Sequence, residues 1–132
     1  MPNPKRRCVV LVVDDDLDIR ETLADMLLDE GYEVVVADDG AEGIELALAR
    51  TPDVILVDQK MPGLSGLDVT RELRARGCSA RVILTTASRG LRESAAEALA
   101  DGVLEKPFEI AECLELVERV RLQDCQHEEA TS

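Results

Sequence analysis

The chain has 132 residues and a net charge of −13, from 28 acidic and 15 basic side chains. Hydrophobic residues make up 45%, enough for a folded core and too many for a disordered chain, and the length suits one domain of ordinary size. The charge opposes binding to a phosphate backbone or an anionic membrane, and one Tyr, one Phe and no Trp leave almost nothing to stack on bases, so nucleic acid and membrane are excluded as partners.

Lys5-Arg6-Arg7 is the one dense basic run and falls in a leader, residues 1–7, read as flexible and solvated. Cys8 to Val13 is continuous, β-branched and apolar, as a strand covered on both faces must be. A helix follows from about Leu17, capped by Asp16, with Ile19, Leu23, Met26 and Leu27 on one stripe and Gly31 as its stop. Tyr32 to Ala37 is a second strand. Asp39-Gly40 is a turn, and Ala41 to Arg50 is a helix buried through Ile44, Ala47 and Leu48, halted by Thr51-Pro52.

Val54 to Val57 is the third strand, ending at Asp58. A loop rich in turn residues, Gln59 to Gly66, leads to a helix over Leu67 to Arg76 with Gly77 behind it. Arg81 to Thr85 is the fourth strand, about Leu91 to Ala100 the fourth helix, and Val103 to Glu105 a short fifth strand. Lys106-Pro107 opens the last helix, Phe108 to about Leu122. Ile110, Cys113, Leu114, Val117 and Val120 form its stripe, with Leu116 expected to fall away from it and be exposed. Residues 123–132 read as a polar tail, leaving 8–122 as the folded domain.

Five strands alternating with helices specify an α/β class: a doubly wound, five-stranded parallel sheet, (βα)5, with right-handed crossovers that place helices on both faces. A closed barrel needs about 200 residues or more. The four cysteines show no C-x-x-C and His127 is the one histidine, so no zinc site is expected. Idle thiols and the lack of any run near ~20 apolar residues point to a cytoplasmic protein.

Four of the five strands end in a charged or hydroxyl side chain: Asp14-Asp15, Asp58, Thr85-Thr86 and Lys106. In an open α/β sheet ligands bind beyond the carboxyl ends of the strands. Three carboxylates there repel one another unless one is protonated or a cation bridges them, and all-oxygen ligation suits Mg2+. A carboxylate beside such a cation, faced by a lysine and a hydroxyl, makes a phosphoryl site. Asp58 can serve as nucleophile, with Lys106 and Thr86 on the transferring oxygens.

Val12-Val-Asp-Asp-Asp16, Val57-Asp-Gln-Lys-Met-Pro-Gly63, Leu84-Thr-Thr-Ala87 and Glu105-Lys-Pro-Phe108 resemble the four motifs of the response-regulator receiver domain, over nearly the whole of residues 8–122. The resemblance implies a flavodoxin-like strand order, 2-1-3-4-5, and a cis Lys106–Pro107 bond. It makes Asp58 the phosphoacceptor and gives Asp14, Asp15, Asp58 and the Lys60 backbone carbonyl to Mg2+. Thr86 becomes the switch hydroxyl and Lys106 the phosphate-pairing cation. Lys60 and Ser88 stand at positions that tune phosphoryl lifetime in the family. The family usually has Tyr or Phe three residues before the lysine; here that residue is Val103.

Phosphate is then expected from a histidine kinase or a phosphotransfer protein in a two-component phosphorelay. The domain performs its own phosphorylation and autodephosphorylation and is not a turnover enzyme on external substrates. Its signal passes through a protein interface to a downstream target, with a homodimer through the last helix as a second contact. Such a chain reads as a stand-alone regulator. Three alternatives stand beside this one. A haloacid dehalogenase-like phosphatase also uses Asp, Thr and Lys, but its motif D-x-D-x-[TV] is met here by Asp14-x-Asp16 followed by Asp18. A calcium loop starting at Asp14 needs Gly and Glu where Ile19 and Asp25 stand. The third is a receiver-like binding module that is not phosphorylated.

Overall fold

A strand such as Val9-Val-Leu-Val-Val13 has no polar face, so it folds only where both of its sides are covered. The computed structural model describes residues 8–131; the leader, residues 1–7, lies outside the described residues, as does Ser132. Its elements are β1 (Val9–Val13), α1 (Leu17–Asp29), β2 (Glu33–Ala37), α2 (Gly40–Arg50), β3 (Val54–Asp58), α3 (Gly66–Ala75), β4 (Arg81–Thr86), α4 (Arg92–Glu97), β5 (Gly102–Glu105) and α5 (Ile110–Thr131). All strand pairs are parallel and the order is β2-β1-β3-β4-β5, as the resemblance implies.

Alternation along each strand divides the core in two. Val10, Val12, Val54, Leu56, Ile83 and Leu104 face α1 and α5, where Leu23, Leu27, Cys113, Leu116 and Val117 cover them. Leu11, Val13, Ile55, Val57, Val82, Leu84 and Val103 face α2, α3 and α4. β2 is an edge strand, and Val36 on it is exposed.

The helix starts are capped by the side chains the chain supplies. Asp16 accepts from the Ile19 N–H and Asp39 from the Glu42 N–H, so Asp39 acts as a cap for α2, which begins at Gly40. Ser65 and Asp68 form a reciprocal capping box on α3. Gly31 and Gly77, at φ +95° and +82°, take the left-handed position after α1 and α3.

Five sequence expectations are corrected. Leu48, placed in the core of α2, is exposed. On α5, Leu116 is buried and packs over Gly102, whereas Ile110 is 52% exposed. Cys113, Leu116, Val117 and Val120 follow the i, i+3, i+4, i+7 rule, so Leu116 belongs to the buried face. α4 is shorter than the span from Leu91 to Ala100, because the chain turns at Leu99 with φ +68°. α5 does not stop near Leu122 but continues to Thr131, through a segment that contains no Gly or Pro. Among the described residues no helix is long and apolar enough to cross a membrane.

Candidate functional site

Parallel pairing sets the register that builds the site. Val13 on β1 lies opposite Val57 on β3, so the next residues, Asp14 and Asp58, emerge together at the carboxyl edge. Asp58 lies opposite Thr85, and Thr86 opposite Glu105, which brings Lys106 to the same edge. A cleft of about 810 Å³ is lined there by Asp14, Asp15, Asp58, Lys60, Thr86, Ser88 and Lys106, together with Gln59 and Met61. The structure therefore gathers every sequence-predicted site residue except Val103. That side chain is buried on the opposite side of β5 from Leu104, among the α2–α4 core.

Asp14, Asp15 and Asp58 each offer an oxygen, and the three lie within 4.8 Å of one another. Lys106 Nζ donates to Asp58 Oδ1 at 3.2 Å. Asp14 Oδ1 accepts from the Asp16 N–H at 2.9 Å, but Asp14 Oδ2 is buried without a hydrogen-bond partner. Burial, above all, holds the Asp14 carboxyl above the usual carboxylate range. The charges of Asp58 and Asp15 add to the rise, and the Asp16 amide and Lys106 oppose it. Repulsion within the cluster is thus secondary to burial. One lysine does not balance three carboxylates, and a buried anionic oxygen with no donor is satisfied by a proton or a cation. A hard, oxygen-only donor set of this kind fits Mg2+.

Thr86 Oγ1 accepts from the Ser88 N–H at 2.9 Å, which leaves its own O–H able to donate. The Thr86 carbonyl accepts from the Lys106 N–H at 2.7 Å, tying the loop after β4 to the loop after β5. The Lys106–Pro107 peptide is cis.

Two contributors are not among the residues the sequence assigns to the site. Arg20, the single base on α1, donates from Nη1 to the Asp14 carbonyl at 2.8 Å. Gln59 Oε1 accepts from the Leu67 N–H at 2.8 Å. The first has a faint signal in being the lone cation of an acidic helix; the second has none.

The response regulator receiver domain family matches residues 10–118. The chain belongs to that family. Response regulator MprA of Mycobacterium ulcerans is 40% identical over 121 residues, 87% of this chain and 52% of the relative. The receiver domain thus spans about half the length of the curated relatives it matches. Among solved structures, chemotaxis protein CheY4 of Vibrio cholerae superposes with TM-score 0.81 at 31% identity, covering 86% of this chain and 98% of that one. Response regulator TrrA of Thermotoga maritima, solved with Mg2+-BeF, gives TM-score 0.77 at 37% identity over 84% and 96% of the two chains. The domain is a component of two-component signalling, and its family typically binds Mg2+ rather than acting as a classical turnover enzyme.

Proposed function

We propose that this receiver takes a phosphoryl group onto Asp58 from the phosphohistidine of a histidine kinase or phosphotransfer protein. The observation that carries the reading is Lys106 Nζ at 3.2 Å from Asp58 Oδ1, beside the unpartnered Asp14 Oδ2. An Asp58 carboxylate oxygen attacks phosphorus. The P–N bond of the donor breaks, its electron pair stays on the imidazole nitrogen, and Asp58 becomes an acyl phosphate. Lys106 holds a positive charge against the oxygens that accumulate negative charge, and the Thr86 hydroxyl donates to one of them. Asp14, Asp15, Asp58 and the Lys60 carbonyl would hold Mg2+, which when bound neutralises charge on the transferring group. Attack by water on phosphorus then returns the Asp58 carboxylate and releases inorganic phosphate, with Lys60 and Ser88 at the cleft mouth setting the lifetime.

The reading also assigns the domain to the cytoplasm, where its phosphodonor is expected, and gives it a downstream protein target. A homodimer through α5 is part of the same reading. The test is mass spectrometry after acetyl phosphate and Mg2+. Wild type should gain one phosphate and Asp58→Asn none. An unchanged increment in Asp58→Asn rules out Asp58 as the acceptor.

A further inference from the structure

The loop between β3 and α3 is closed by a residue that the phosphoryl chemistry does not use. Gln59 follows Asp58 directly. Its N–H donates to the Thr85 carbonyl at 2.8 Å, its carbonyl accepts from the Gly66 N–H at 3.0 Å, and its Oε1 accepts from the Leu67 N–H at 2.8 Å. One residue therefore ties both ends of the segment 60–65 together. Leu67 lies in the first turn of α3, where amides have no partner inside the helix. Ser65 satisfies the Asp68 N–H, and Gln59 satisfies that of Leu67.

The helix start is pressed hard against the phosphoacceptor strand. A Cβ on Gly66 would lie 2.8 Å from the Asp58 carbonyl oxygen, 3.0 Å from Gln59 Cα and 2.7 Å from Leu84 Cδ2. That junction has no slack, and the Gln59 side chain adds a second tie to it beside the backbone bond from Gly66, so the segment 60–65 leaves and returns at fixed points. The first residue of the loop is Lys60, whose backbone carbonyl is the neutral ligand of the proposed cation site.

We infer that Gln59 is a positioning residue for the cation: by pinning the start of α3 to the end of β3 it holds the Lys60 carbonyl in one place and favours a small ion over a larger one. The inference rests on the site reading above. Mg2+ demands near-ideal octahedral geometry at about 2.0–2.1 Å, whereas Ca2+ accepts about 2.3–2.6 Å and irregular coordination. A loosened carbonyl therefore harms Mg2+ binding more than Ca2+ binding.

The experiment is calorimetric titration of the whole chain with Mg2+ and, by competition, Ca2+. Gln59→Met keeps the length of the side chain and removes the acceptor. Gln59→Asn keeps the amide but is one methylene too short to reach Leu67. Both should bind Mg2+ about ten-fold more weakly, the low end of the cost of losing a direct outer-shell bond because Gln59 acts through the loop, with a clearly smaller change for Ca2+. Gln59→Glu retains an acceptor and should keep the wild-type preference for Mg2+ over Ca2+, its added charge strengthening both ions alike. Equal weakening of the two ions in the Met and Asn variants, or unchanged Mg2+ binding in either, overturns the role of Gln59 while leaving the site reading intact. A wild-type protein that binds neither ion overturns the site reading, and the inference with it.

Discussion

At the edge where the strands begin, Asp101 accepts from Arg74 at 3.0 Å, from Arg81 at 3.1 Å and from the Val82 N–H at 2.9 Å. At the edge where they end, Asp14, Asp15 and Asp58 face Lys106, and one Asp14 oxygen has no partner at all. Both regions hold acidic side chains at strand termini, yet the first is closed and the second is open. In the first, each carboxylate oxygen has its own donor, and Arg74 reaches on to the carbonyls of Cys78, Ala80 and Leu99. That arrangement fastens α3 to the turn after α4. In the second, excess negative charge is retained where a cation and a phosphoryl group can use it. Charge alone therefore does not mark a functional site; incomplete compensation does.

The sharpest way to break this comparison is to remove the closed carboxylate. Asp101→Ala removes the shared carboxylate of two largely buried guanidinium groups and should cost about 3 kcal/mol in urea melts, with Mg2+ affinity unchanged. A loss close to zero would mean the network is solvated and merely decorative. Asp14→Asn should act with the opposite sign. In EDTA at pH 7 it should stabilise the protein, because the buried Asp14 carboxyl is held above its usual range, while weakening Mg2+ binding. The folded-state pKa of Asp14 is raised, so its contribution to stability is fully present below the unfolded value, about 3.9, and is lost as pH rises through the folded value. The advantage of Asp14→Asn should therefore vanish near pH 3.5 (~0.4 below that reference value) and grow towards neutrality. An Asn variant less stable than wild type at pH 7 in EDTA would refute the account.

A smaller effect separates two routes out of the open region. Val103 is buried and stiff about χ1, with no ring to swing behind Thr86. The loop 87–90 is exposed and ends at Gly90 with φ +81°. Hydrogen exchange with beryllofluoride and Mg2+ should change most over residues 86–92 and little over Val103 to Glu105. Equal changes in β5 would show that packing around Val103 carries the signal.

The sheet was legible because runs such as Val9 to Val13 admit few alternatives, and the site because side chains with chemistry stood at strand ends, where an α/β sheet presents them. Leu48 and Ile110 were misplaced for a shared reason: periodicity gives the direction a side chain takes from a helix and not how far the layer beneath it extends. The Gln59 bridge was illegible because a side chain that bonds a backbone amide eight residues away leaves no pattern in composition or spacing. The same holds for Asp101, which looks in the sequence like an ordinary turn residue.

The pairing of β1 with β3 joins residues 44 apart in the chain and places Asp14 beside Asp58 only when Val13 meets Val57. A slip of one residue would turn one of the two carboxylates to the other face of the sheet. An ion that needs both would thus bind correctly paired chains and ignore mispaired ones. At a concentration of about 100 times its dissociation constant it would favour the native pairing by about 2.7 kcal/mol. The cofactor of the chemistry would then also proofread the folding of the sheet that holds it.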